Sequence, residues 1–159
     1  MQDLTLIDIT LRLGLALLFG AVIGWERERT RRPAGLRTNM LVALGAASFT
    51  LVSIAMIQQY MVNPSEPIGI DPAKIIAGIV GGIGFLGAGA IFQQSDRVRG
   101  MTTAAGIWVV AAVGVASGAG YYEIAGICVG FAVFTLVIVR WIEGHMQASN
   151  KPKPDERSE

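Results

Sequence analysis

Five apolar stretches of about 20 residues, separated by four polar connections, form the dominant pattern along this chain. They run approximately over Leu4–Trp25, Thr38–Gln59, Ala73–Phe92, Thr102–Ala119 and Tyr121–Trp141. A helix rising ~1.5 Å per residue crosses roughly 30 Å of hydrocarbon in about 20 residues, so each stretch is long enough to span a bilayer. A soluble protein can bury one such run, but not five in 159 residues. The pattern therefore predicts an all-α, polytopic bundle of five transmembrane helices over residues 1–143. The remainder, 144–159, is polar, Pro-containing and aperiodic, and is expected to be a disordered cytoplasmic tail.

Composition agrees: 52% of residues are hydrophobic and 16% charged, against about a quarter charged in soluble domains. The basic residues set an orientation. Arg27, Arg29, Arg31, Arg32 and Arg37 lie in the first connection, Arg97 and Arg99 in the third, and Arg140, Lys151, Lys153 and Arg157 at the C-terminal end. The second connection has only Lys74, against Glu66 and Asp71, and the fourth has no basic residue. Basic loops stay in the cytoplasm, so the N-terminus faces out and the C-terminus in. Trp25 and Trp141 then fall at the inner interface and Tyr60, Tyr121 and Tyr122 at the outer one, where amphipathic rings prefer to sit. The opening "MQDLTLID" carries acids where a cleavable signal has basic residues, so the first span is read as retained. Cys128 is the one cysteine, which excludes an internal disulfide and leaves it a packing role.

Some polar groups fall inside the spans. Arg12 lies about 12 Å into the first helix, where a charge costs about 3 kcal/mol on insertion scales. Asp8, four residues earlier on the same face, is expected to pair with it, and Arg12 to face the bundle interior. The third span, "GIVGGIGFLGAGA", is dense in glycine. Gly78, Gly81, Gly82 and Gly89 share one face, and Ile76, Ile79, Ile83 and Leu86 the other. Small residues permit close backbone approach, so this helix is expected at the tightly packed centre, its Ile/Leu face toward lipid or a second subunit of a homo-oligomer. The formal Gly82-x-Gly84-x-x-Gly87 fingerprint follows no strand and is a chance match.

The junctions "GLRTN" and "GMTTA" each bring an arginine-bearing loop into a new helix. If the first two spans and the next two are parallel repeats, the junctions become neighbours. Arg37, Thr38 and Asn39 would then form, with Arg99, Thr102 and Thr103, a polar cytoplasmic site. Helix N-termini flanked by arginines favour an anion over a cation. The other arginines of the first loop would mainly set topology. Glu26, Glu28 and Asp96 are hard oxygen ligands suited to Mg²⁺, but carboxylates among arginines are more often ion-paired, and no metal or cofactor is expected. The one histidine, His145, lies in the tail, and no zinc-protease or Walker motif occurs, so no catalytic residues are assigned and the chain is not read as an enzyme. No nucleic-acid partner is expected.

Four ordered segments carry a family resemblance. "RLGLALLFGAVIGWERE", "RPAGLRTNMLVALGA", "GIGFLGAGAIF" and "VRGMTTAAGIWVVAAVGVASGAGYY" resemble the successive motifs of the MgtC/SapB membrane proteins. The matching positions include Arg12, Glu26, Glu28, Gly35, Gly82, Gly84, Gly87, Gly89, Gly100 and Trp108, while Met101 stands where the family usually has Leu. The resemblance implies a multi-pass protein of the bacterial inner membrane, linked to adaptation to low magnesium and, in pathogens, to virulence. Members are often labelled magnesium transporters, yet their best-known action resembles regulation of a membrane partner, including restraint of the ATP synthase. Virulence members carry a soluble C-terminal domain that these residues lack, so a short form is expected. Two functions follow: a regulator acting through a membrane partner, or a small ion transporter or channel. A transporter needs polar groups along a path, and besides Arg12 the spans offer only scattered hydroxyls such as Ser48, Thr50 and Ser53, which favours regulation.

The orientation has a direct check. A reporter fused after Glu159 should be active only in the cytoplasm, and a cysteine near Pro67 should react with impermeant reagents from the periplasm. The reverse labelling pattern would refute the five-span arrangement.

Overall fold

The computed structural model describes residues 4–62, 71–94 and 97–149. Five helices dominate: α1 (Leu6–Arg29), α2 (Leu36–Val62), α3 (Pro72–Gly89), α4 (Met101–Ala119) and α5 (Tyr122–Ser149). All five contain a stretch long and apolar enough to cross a membrane. Between α3 and α4 lies a small antiparallel hairpin, β1 (Phe92–Gln94) and β2 (Arg97–Arg99), with Phe92 paired to Arg99. The third span thus ends at Gly89, three residues before the boundary read from hydropathy. Helix α5 runs on through 144–149, where the disordered tail was expected to begin; residues 150–159 lie outside the described residues.

Local chemistry sets the helix ends. Thr5 and Asp8 form a capping box at the start of α1. Asp71 caps α3 by accepting from the Ala73 N–H at 2.8 Å, with Pro72 in the first turn. Helix α4 ends in a Schellman turn: the Tyr121 N–H donates to the Ala116 carbonyl at 2.8 Å and the Gly120 N–H to that of Ser117 at 3.1 Å. Gly120 has φ +86°, which glycine adopts without strain. The same motif closes α1, with Arg32 and Arg31 donating to Arg27 and Glu28.

Helix α4 is central and packs on all four others, while α2 packs chiefly on α1 and α4. The core joins Ala16 and Ile23 of α1, Ala43 and Ala47 of α2, Val110 and Val113 of α4, and Ala125 and Val129 of α5. Close approach comes from two Gly-x-x-x-Gly pairs outside the glycine-rich third span. A Cβ at Gly20 would stand 2.7 Å from the Asn39 carbonyl oxygen, and one at Gly24 2.8 Å from Leu36 Cα. Gly114 would meet the Ala43 carbonyl, and Gly118 the Ala47 carbonyl at 2.6 Å.

These contacts correct the expected place of α3. In that helix only Gly87 is buried. A Cβ at Gly78, Gly81, Gly82, Gly84 or Gly89 would meet nothing within 4 Å. Close packing needs small residues on both surfaces, and the alanine stripe of α2 is already occupied by α1 and α4. On the side expected to face lipid or a second subunit, Ile76 and Leu86 are exposed, while Ile79 and Ile83 line the gaps that separate α3 from α2 and α4.

The packing assignment predicts a contrast between two glycines. Gly114→Ala should push α2 from α4 and lower the thermal unfolding temperature in detergent by several degrees. Gly130→Ala, on α5 with open space around it, should leave that temperature unchanged or slightly raised. Similar losses in both variants would show that close α2–α4 approach is not what holds the bundle.

Candidate functional site at the basic end of the bundle

The polar knot between α1 and α2 is organised by side chains of α1. Arg27 is 5% exposed. It lies one turn beyond Ala16, Gly20, Ile23 and Gly24 on the buried face of α1. One of its terminal nitrogens donates to the Pro33 carbonyl at 3.1 Å and to the Thr103 hydroxyl at 2.5 Å. A single guanidinium thereby ties the end of α1 to the following loop and to the first turn of α4. Glu28 turns the other way, its Oε2 accepting from the Leu36 N–H at 3.0 Å at the start of α2. Gly35 lies directly under that carboxylate, where a Cβ would collide with Oε2. Glu26 accepts from Arg140 at 2.8 Å, which joins α1 to α5. Two of the three carboxylates weighed as magnesium ligands are thus engaged by protein donors; Asp96 lies outside the described residues.

The six residues expected to form one site divide. Asn39 is buried and donates to the Ala34 and Gly35 carbonyls at 2.6 and 2.8 Å, which ties down the loop entering α2. Arg37 and Thr38 are exposed and line a cavity between α2 and α3. Arg99, Thr102 and Thr103 line a different cavity of about 720 Å³, with Arg27, Arg32 and Arg140. This second cavity is the candidate site. Among the described residues, Arg27, Arg32, Arg99 and Arg140 line it against the one carboxylate of Glu26, and Phe92, Val98, Leu136 and Val139 supply apolar walls. Gly100 starts α4 with φ +93° and has no side-chain cap, so the threonines are not its cap and the positive end of the helix opens here. A Cβ at Gly100 would also collide with the Ala90 carbonyl.

Sequence reading assigned Arg27 to topology and missed its place in the site. The signal was present in the spacing: Ala16, Gly20, Ile23/Gly24 and Arg27 recur at helical period, whereas Arg29 does not and Arg31 lies beyond the end of α1. Arg140 was counted with the tail, and only the fold brings α5 to this cavity. The remaining motif positions have structural places, with Trp108 half exposed on α4 beside the α3–α4 gap.

Arg12 lies toward the opposite end of α1 and reaches α4. Its partner differs from the one expected. Asp8 is engaged by Thr5, and Arg12 donates to the Gly118 carbonyl at 2.9 Å, the C-terminal end of α4. That carbonyl is left over by the Schellman turn, and a cation is favoured at this end of the helix dipole. The Arg12 Nε is buried without a hydrogen-bond partner.

The model of the MgtC family matches residues 13–145. Protein SapB of Bacillus subtilis is 40% identical over 136 residues, covering 85% of this chain and 58% of the relative. Protein MgtC of Brucella abortus is 44% identical over 125 residues, 79% of this chain and 48% of that protein. YhiD of Escherichia coli K12, named as a candidate magnesium transporter, is 40% identical over 117 residues, 74% of this chain and 54% of its own. The chain thus matches only about half the length of these curated relatives. No solved structure matches it.

The Arg27–Thr103 link yields a prediction. Thr103→Val keeps the shape and removes a buried acceptor, and should destabilise the protein by about 1–3 kcal/mol. Arg29→Gln, on the exposed side of the same turn, should change stability by less than about 0.5 kcal/mol. Thermal unfolding of both variants in one detergent checks the difference.

Proposed function

This chain belongs to the MgtC family, and on that premise we propose that it serves magnesium-related membrane biology as a regulator, receiving an anionic group of a membrane partner in the arginine-lined cavity. The observation that carries this reading is the charge of the cavity: among the described residues, four arginines and one carboxylate line it around the uncapped start of α4. A doubly charged cation ~8 Å from one guanidinium is repelled by about 4 kcal/mol at an effective dielectric constant of ~20. A carboxylate or phosphate is attracted to the same groups, and arginine can hold either with two parallel hydrogen bonds. Arg27 and the Glu26–Arg140 pair would hold the walls in place, while exposed Arg99 would meet the ligand. The ATP synthase, implied by the family resemblance, is the first partner to test.

The test has two arms. Arg99→Gln should reduce growth in low magnesium and recovery of the membrane partner several-fold at matched protein levels, whereas Arg31→Gln, outside the cavity lining, should not. Purified protein in proteoliposomes should move no Mg²⁺ above the protein-free background. Robust Mg²⁺ flux by the pure protein would overturn the regulatory reading in favour of transport.

A further inference from the structure

The arginine-lined cavity joins two kinds of surface. Its charges are largely unanswered by the protein. Glu26 pairs with Arg140, which leaves Arg27, Arg32 and Arg99 without a carboxylate partner among the described residues. Buried Arg27 uses one terminal nitrogen for both of its hydrogen bonds. Its Nε and its other terminal nitrogen have no protein acceptor among the described residues, and neither is sealed from open space.

Beside these charges lie exposed apolar side chains: Phe92 and Val98 of the hairpin, Met101 at the start of α4 and Val139 of α5. The cavity also has depth. Thr135 and Leu136 line it on α5, roughly 6–8 Å before Arg140 along the helix and toward the middle of that span. Trp141, exposed next to Arg140, marks the arginine level as the membrane interface. A free inorganic anion would be held by the charges and would leave the apolar depth unmatched. A phospholipid matches both, with its phosphate at the interface and its acyl chains below, and it reaches the cavity from the bilayer without crossing water. Basic pockets between transmembrane helices at the cytoplasmic side hold anionic headgroups in this way.

On the reading of this cavity as an anion site, we propose that its resident occupant is an anionic phospholipid of the inner leaflet. In this arrangement the phosphate accepts from Arg99 and from the N–H groups that Arg27 keeps free, because the planar guanidinium fork matches two phosphate oxygens at once. An acyl chain lies along Leu136 and Val139. A zwitterionic headgroup is disfavoured, since its cationic end enters a ring of arginines whose one described carboxylate, Glu26, is already held by Arg140. Lipid and the anionic group of a membrane partner compete for Arg99, and the partner gains the site by displacing the lipid.

Native mass spectrometry of the full chain in mild detergent, titrated with phosphatidylglycerol or phosphatidylcholine, tests the proposal. Phosphatidylglycerol should bind at least several-fold more tightly. Arg99→Gln, at an exposed position, should weaken it about fivefold, the equivalent of about 1 kcal/mol for one interfacial arginine. Arg37→Gln removes the same charge at the same end but lines a different cavity, and should leave the affinity within twofold of wild type. Circular dichroism of both variants should show unchanged helix content. Soluble glycerol phosphate, at the concentration that saturates with phosphatidylglycerol, should not displace the lipid. Equal binding of the two lipids, equal loss in the two variants, or displacement by glycerol phosphate would each overturn the lipid assignment. The regulatory reading fails separately: phosphatidylglycerol held through Arg99, with normal partner recovery in Arg99→Gln, would keep the lipid and remove the partner. Impaired partner recovery in Arg99→Gln without lipid selectivity would do the reverse.

Discussion

In a bilayer, lipid tails are as apolar as leucine, so helices are held together by how closely their backbones approach. Here that approach is concentrated at Ala43 of α2. Its Cβ would lie 3.0 Å from a Cβ placed on Gly20 of α1, and its carbonyl oxygen is reached by Gly114 of α4. One small residue is therefore pressed from two sides by glycines of different helices. The rest follows from this contact: α1, α2 and α4 form a unit, α5 completes its core, and α3 remains outside it.

Each end of this unit is closed by an arginine reaching from α1 to α4. At the basic end Arg27 contacts the Thr103 side chain in the first turn of α4. Toward the other end Arg12 contacts the last turn at Gly118. The two contacts have opposite electrostatic character. Arg12 complements the negative end of the α4 dipole, whereas Arg27 adds positive charge at the positive end. The first contact relieves local charge and the second accumulates it. On the proposed function, that accumulation is what would draw an anion to the basic end.

The number, type and approximate limits of the helices were legible in the sequence because hydropathy is a direct record of which segments reside in lipid. The glycine argument was right in kind but applied to the wrong helix. Glycine density in α3 exceeds that in α1 or α4, yet density says nothing about the opposing surface. The pairs Gly20/Gly24 and Gly114/Gly118 matter because the α2 backbone from Leu36 to Ala47 comes up against them, and that complementarity exists only in three dimensions. The site was partly legible for the same reason: Arg99, Thr102 and Thr103 are adjacent in the chain, but Arg27 and Arg140 reach them through packing. Asp8 was assigned to Arg12 by the helical period, and the nearer Thr5 cap took it instead. Local hydrogen bonding at a helix start outcompeted a pairing that would have required both side chains to reach along the helix.

The Arg12–Gly118 contact also has a consequence for synthesis. The two residues are separated by 106 positions. At roughly 5–20 residues per second, about 5–20 seconds elapse between the emergence of the arginine and that of the carbonyl that receives it. Throughout this interval the first helix carries a charge that costs about 3 kcal/mol in lipid and that its α4 partner has not yet answered. Holding that helix beside the insertion machinery, or near the bilayer surface, until the fourth helix arrives would avoid this cost. The helix that emerges before the other four thus gains this contact only once the fourth is in place.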